Sequence, residues 1–351
     1  MPKSKKKGEG KAALRIVLIV SAVLLLAAAF RIYEDVFAAN LRLEKDETAY
    51  LYIYSNKGFY ESLETNNQYK LFKNAKAFVR LAALSGWEGS IRPGRYKITA
   101  GMGNFALLRL LRSGKQEPLD IRFKYAERKQ DLTAYWAQKL EADSNELLAL
   151  LNNPVLMDSL ELDTAAAIAL FIPNTYNFYW NTSAMQLVER MHAEYTLFWD
   201  SVRVQKATQL GLSKKEVVIL ASIVQKETHR KDEMPVVAGV YYNRLQRGML
   251  FQADPTVIYA MNDKSIRRVQ GAILKVESPY NTYKYKGLPP GPICVPSVQA
   301  VDAVLNMQRH AYIYFCAKED FTGYHNFEAY FAQHQVNARK YQRMLNQRGI
   351  R

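Results

Sequence analysis

Glu227 stands in the stretch LASIVQKETHRKDE, residues 220 to 233, where an apolar run ends in a burst of charge. If the stretch is one helix, neighbours at i+3, i+4 and i+7 share a face, so Leu220, Ile223, Val224 and Glu227 form one stripe aimed at the interior. A carboxyl on that stripe must be paired, hydrogen-bonded or kept protonated by desolvation. The last condition is what a general acid needs. Position alone leaves two readings open: a structural ion pair with one of the chain's many Arg or Lys side chains, or a protonated acid. Gln225 and Lys226 fall off the stripe and can reach solvent.

Other chemistry is thinly represented. The five histidines (His192, His229, His310, His325, His334) and the cysteines Cys294 and Cys316 make no CxxC, HExxH or comparable cluster, so neither a metal nor another cofactor is expected. The two cysteines either form one bridge in an oxidising compartment or remain buried thiols. Glu233 falls in the first turn of the next helix, where the helix dipole accounts for it.

The elements that must position Glu227 can be read from caps and turns. Ser213-Lys214-Lys215-Glu216 fits a capping box just ahead of the apolar run from Val217 to Val224. Past His229-Arg230-Lys231, Asp232 is the expected N-cap of a helix from Glu233 to Gln246. Upstream, AYLYIY (49–54) reads as a strand, NAKAFVRLAAL (74–84) as a helix closed by Ser85-Gly86, and Pro93-Gly94 as a turn before a strand at Arg95 to Thr99. Asn104 is the expected cap of a helix reaching Leu111. A strand from Leu119 to Lys124 follows, then helices near 132–140, 144–151 and from about Ser183. The run Pro289-Pro290-Gly291-Pro292 excludes regular structure and marks a shaped loop. The fold class is α+β, with a compact mixed unit at 45–118 and a larger mixed domain at 119–351.

The N-terminus reads MPKSKKKGEGKAALR and then IVLIVSAVLLLAAAF, an apolar run from Ile16 to Phe30 broken only by Ser21. With flanking apolar residues, and with Arg15 and Arg31 snorkelling, it nears the ~20 residues that cross a bilayer. The positive-inside rule places residues 1–15 in the cytoplasm, makes 16–31 a single-pass anchor, and sends the rest across the membrane. A cleaved signal peptide is the alternative, given the small residues at Ala27-Ala28-Ala29. Residues 1–15 carry six basic side chains and one acidic, a net +5, which leaves +10 of the total +15 on the remainder. Such a charge usually suggests nucleic acid. For an exported domain the available anions are instead wall polymers and lipid headgroups, so no nucleic-acid partner is expected.

The ordered blocks LASIVQKET, VAGVYYNRL, QADPTVIYA, SPYNTY, GLPPGPI and HNFEAYFAQH closely resemble the MltG-like (YceG-like) family of membrane-anchored endolytic murein transglycosylases. Upstream, LFIPNTYNF fits the same family, and IRPGRYKITAG looks like its LysM-like subdomain. The resemblance covers most of the chain from about residue 45. It implies a larger YceG-like catalytic domain and a bacterial cytoplasmic-membrane protein with its catalytic part on the extracytoplasmic side. The implied reaction is cleavage of the MurNAc-GlcNAc bond of nascent peptidoglycan without water, leaving a 1,6-anhydroMurNAc end. One carboxyl group does this work: a protonated acid donates to the glycosidic oxygen, and its carboxylate then takes the proton of the sugar's own C6 hydroxyl. A hydrolase would need a second carboxylate.

On this resemblance Glu227 is the catalytic acid/base. Many relatives carry Glu where this chain has Gln225, which here is expected to affect local surface charge. Asn243, Arg244, Gln252, Asp254 and Thr256 are placed to hold sugar hydroxyls or N-acetyl groups, with a helix cap as the equal alternative for Asp254. Tyr280 and Tyr283 offer flat faces for pyranose packing and Asn281 an amide for the acetamido group. His325 and His334 are expected to brace the final helix. Glycan-polymerising and cross-linking synthases are the expected protein partners. Two rival functions are a catalytically silent wall-binding scaffold and a two-carboxylate glycan hydrolase using Asp254.

Overall fold

The computed structural model describes residues 6–263, 265–266 and 269–348, with side chains from residue 11 onward. The first five residues of the expected basic tail lie outside that set. The chain divides into two compact units: residues 1–119 with 177–181, and residues 120–176 with 182–351. The short return at 177–181, which the sequence reading assigned to the larger domain, belongs with the first unit.

In the first unit, α1 (Lys6–Phe37) carries the apolar run. Its stretch Lys11–Phe37 is long and apolar enough to cross a membrane, and the apolar side chains of its middle are exposed: Leu25 and Leu26 are each 71% exposed. The helix outlasts the expected segment 16–31 by six residues. Its end is fastened by Asn104, whose Nδ2 donates to Asp35 O at 2.7 Å, and by Phe37 against Phe105. Asn104 is therefore not the cap of its own helix, because its side chain is engaged elsewhere and Gly103 occupies that place. Strand β1 (Thr48–Ile53) pairs antiparallel with β2 (Gly94–Thr99), and α2 (Phe59–Glu64), α3 (Ala75–Ser85) and α4 (Asn104–Ser113) pack on that ribbon. Asn74 caps α3 by accepting from Ala77 N, and Gly86 ends it in the left-handed region. The core is Leu51, Phe72, Phe78, Tyr96, Leu108 and their neighbours.

The second unit is mainly helical. It holds β3 (Leu119–Phe123) from Asp120 onward and the start of β4 (Asn174–Phe178), whose last two residues belong to the first unit; between them run α5 (Lys129–Ala137), α6 (Ser144–Leu151) and α7 (Pro154–Ser159). After them come α8 (Ala184–Phe198), α9 (Ser201–Gln209), α10 (Lys214–Glu227), α11 (Met234–Gln246), α12 (Asp254–Met261) and α13 (Val298–Leu305). An antiparallel pair, β5 (Tyr314–Ala317) and β6 (His325–Glu328), precedes α14 (Phe331–Gln347).

Helix α10 is the axis of this unit. Its capping box forms: Ser213 Oγ accepts from Glu216 N at 3.2 Å while Glu216 Oε2 accepts from Ser213 N at 2.8 Å. All eight residues from Val217 to Val224 are buried, so the helix is covered on every side rather than along one stripe, with α9, α11, α12 and α13 around it. The proline-rich loop is pinned to it, since Ser222 Oγ accepts from Ile293 N at 3.0 Å. A Cβ at Gly291 would collide with Ala165 O, so this close approach requires glycine. Cys294, buried, and Cys316 are both free thiols.

Candidate active site

Glu227 is the last residue of α10, directly after the buried run, and it keeps partial access to solvent. Tyr241 Oη donates to its Oε1 at 2.7 Å. Tyr241 itself is 1% exposed, packed between Phe251 and Phe315, and burial beside the Glu227 charge holds its own proton on tightly. The Glu227 carboxyl is pushed up from 4.5 to about 7, first by desolvation; the tyrosine hydrogen bond and the Arg244 charge pull it down, and the Asp254 charge adds a push upward. A helix C-terminus, with its partial negative charge, acts in the same upward direction. Near neutrality this carboxyl exists in both protonation states, the property an acid that later serves as base requires.

Helix α11 supplies the neighbours because Tyr241 and Arg244, three positions apart, share its inner face. Arg244 is 7% exposed and donates to backbone carbonyls: Nε to Ile313 O at 2.6 Å and Nη1 to Phe251 O at 2.5 Å. It ties together the loop after α11 and the start of β5, and it is not available to sugar hydroxyls as expected. Asn243 is occupied too, its Nδ2 donating to His310 O at 2.8 Å and Tyr312 O at 2.9 Å.

The QADPT segment splits. Thr256 is fully buried, with Oγ1 against Ala253 O and Thr282 Oγ1, so it locks one loop to another and does not face a ligand. Asp254 is exposed at the first residue of α12, and Ala253 holds the cap position, so the cap alternative fails. Tyr283 Oη donates to Asp254 Oδ1, and desolvation raises that carboxyl above the ordinary aspartate value. Gln252 has φ +50°, an uncommon value for a side-chain-bearing residue, and its exposed amide makes no hydrogen bond among the described residues.

Asn281, expected to meet an acetamido group, is wholly buried. Its Nδ2 donates to Leu274 O and Val276 O while its Oδ1 accepts from Tyr283 N, so it braces the loop that carries Tyr283. Tyr280 is half-buried against Tyr259, ring centroids 4.8 Å apart. Gln225, expected to govern surface charge, instead accepts from Ser297 N at 3.1 Å and Ser297 Oγ at 2.6 Å, fixing the N-cap of α13. Glu233, at the head of α11, accepts from His325 N at 2.8 Å and meets His325 Nδ1 at 2.9 Å. His325 thus braces α11, not the final helix, while His334 stacks on Tyr314. Tyr241 escaped the sequence reading; its only signal was its placement three residues before Arg244 on a helix facing the acid.

Residues 51–340 match the model of the YceG-like family. The chain is 25% identical over 273 residues to the endolytic murein transglycosylase of Bacillus subtilis (strain 168), covering 74% of each protein. It is 29% identical over 202 residues to that of Streptococcus pneumoniae R6, covering 54% of this chain and 36% of the relative. A crystal structure of a yceG-like protein from Listeria monocytogenes superposes with a TM-score of 0.55 at 24% identity, over 83% of this chain and 99% of that one, a likeness of fold.

Proposed function

The chain belongs to the YceG-like family, and on that premise we propose that it is a lytic transglycosylase of peptidoglycan, anchored by α1, with Glu227 as the single acid/base. The observation that carries this is a carboxyl pushed to about 7 by desolvation, yet still reached by solvent, at the end of a buried helix. With Oε1 held by Tyr241, the other oxygen carries the proton to the glycosidic oxygen between MurNAc and GlcNAc. As that bond breaks, an oxocarbenium-like centre develops at C1 of MurNAc. The carboxylate so formed takes the proton of the C6 hydroxyl, whose oxygen closes on C1. Glu227 ends protonated and the products are a 1,6-anhydroMurNAc end and a free GlcNAc hydroxyl.

Tyr241 is a positioning residue: it selects which oxygen is free and steadies the carboxylate midway through the cycle. Gln252 and Tyr283 are the remaining candidates for sugar contacts, the first through its uncommitted amide and the second through its ring and its hold on Asp254. The part of the first unit that follows α1, including the LysM-like stretch, is assigned to wall contact, and the positive-inside rule leads us to place it and the second unit outside the cytoplasm, with residues 1–15 inside. That location favours cleavage of nascent strands near the membrane, beside the synthases that make them.

One observation favours the hydrolase as a second reading: the charge of Asp254 is felt at Glu227. Mass spectrometry of the muropeptides released from uncross-linked strands separates the two. Anhydro ends support the lyase; reducing ends, lost on Asp254→Asn, would replace it with a two-carboxylate hydrolase.

A further inference from the structure

Behind the catalytic turn lies a recess the reaction does not use. Gln225 and Glu227 are two positions apart on α10, about 200° around the helix, so they face opposite ways. Gln225 forms part of the floor of an open cavity of about 650 Å³, contained in the second unit. Its charged lining is of one sign: Arg122 from β3, Lys124 just past the end of that strand, and Lys231 from the turn after α10, with His229 beside it. No carboxylate lines the cavity, and among the described residues none of these four side chains has an acidic partner. Asn174, Thr175 and Gln299 add neutral hydrogen-bonding groups. Three cations converging on one recess, with neutral hydrogen-bonding groups between them and no carboxylate in the lining, form a site for an anion.

We propose that this recess binds the free carboxylates of the peptide stems carried by the glycan strand. The inference rests on the proposed function for its substrate class. Among the ligands of that class, the sugar backbone is neutral where its lactyl groups are amidated by the stems, so on such a strand the stems bear the charge. The recess lies at the same end of α10 as the acid, since Gln225, His229 and Lys231 of its lining flank Glu227 in the chain. A strand held there by its stem is registered against the acid, and strands stripped of peptide lose that register.

The test uses the full chain in detergent with Glu227→Gln, so that binding is read without cleavage. Affinities are compared for strands with intact stems and strands stripped by an amidase whose freed lactyl carboxylates are then capped as methyl amides, so that the stripped strand is uncharged. The expected preference for stem-bearing strands is about tenfold at low salt, the sum of a few exposed ion pairs, shrinking as salt rises. Adding Arg122→Glu and Lys231→Glu brings the ratio to about one; the milder pair Arg122→Ala and Lys231→Ala reduces it if the reversal disturbs folding. Equal binding of the two strands, or an equal loss for both in the variants, overturns the proposal. So does a loss seen only with anionic phospholipid vesicles, which would make the recess a membrane contact. Failure of the uncatalysed binding ratio is separate from failure of the reaction: a parent enzyme yielding no anhydro ends leaves the ratio standing.

Discussion

Glu227 and Glu233 stand six residues apart, at the end of one helix and the head of the next; Glu233 is buried and Glu227 is partly so. Their partners differ. Glu233 accepts from a backbone N–H and faces the imidazole of the same residue, His325, so both its oxygens are engaged. Glu227 has one tyrosine hydroxyl, lies at the unfavourable end of a helix, and feels a second carboxylate. Burial alone therefore makes no catalyst. What matters is how few donors meet the charge once water is removed. Glu233 carries structure: through His325 it joins β6 to α11, the helix that holds Tyr241 and Arg244.

The sharpest way to break this contrast is Glu227→Gln. Cleavage should fall by about 10²–10⁴-fold, the usual worth of a general acid, with the fold retained; muropeptide analysis reads the loss. Full activity in this variant would remove Glu227 from the mechanism. The same variant carries a stability signature. Because the folded-state value is raised from 4.5 to about 7, the parent's stability is greatest below about 4.5 and declines as pH rises through 7. The variant escapes that decline, so chemical denaturation at pH 8 should show it gaining up to roughly 3 kcal/mol on the parent, and little at pH 4.

Tyr241→Phe comes next. Without the hydroxyl the carboxylate loses its one donor, so the alkaline limb of the pH-rate profile, set by Glu227 near 7, should move upward while the maximal rate drops about tenfold. A limb that stays in place would mean that Tyr241 only packs. Glu233→Gln should do the reverse: about 1–2 kcal/mol of stability lost in denaturant melts as the His325 contacts weaken, with cleavage per folded molecule nearly intact. The smallest effect is expected for Asp254→Asn, a slight downward shift of the same limb, because its charge pushes Glu227 up. Abolished cleavage there would instead support the two-carboxylate hydrolase.

What was legible in advance follows from range. The capping box at Ser213, the cap at Asn74 and the helix α6 from Ser144 to Leu151 are contacts between near neighbours, written in residue type and spacing. The caps at Asn104, Asp232 and Asp254 failed for a common reason: side-chain type permits capping, but α1 takes Asn104, Tyr324 takes Asp232 and Tyr283 takes Asp254. Several of the polar residues expected at the sugar are likewise engaged within the protein. Thr256 and Asn281 occupy motif blocks, yet each is buried and satisfies backbone or loop groups that would otherwise be stranded, while Asn243 donates to two carbonyls nearer the surface.

By itself the sequence determined the membrane-length helix, the helix bearing Glu227, the family and the identity of one candidate acid, since each depends on local periodicity or on an ordered set of short motifs. Tertiary structure alone decided that Tyr241 meets Glu227 across 14 residues, that Arg244 reaches Ile313 across 69, and that Gln225 holds Ser297 across 72. These contacts require distant segments to be brought together by burial of apolar surface, whose favourable free energy is non-directional. The pattern of apolar residues specifies that helices pack, while the packing fixes which polar groups find partners and which carboxyl is left with a proton to give.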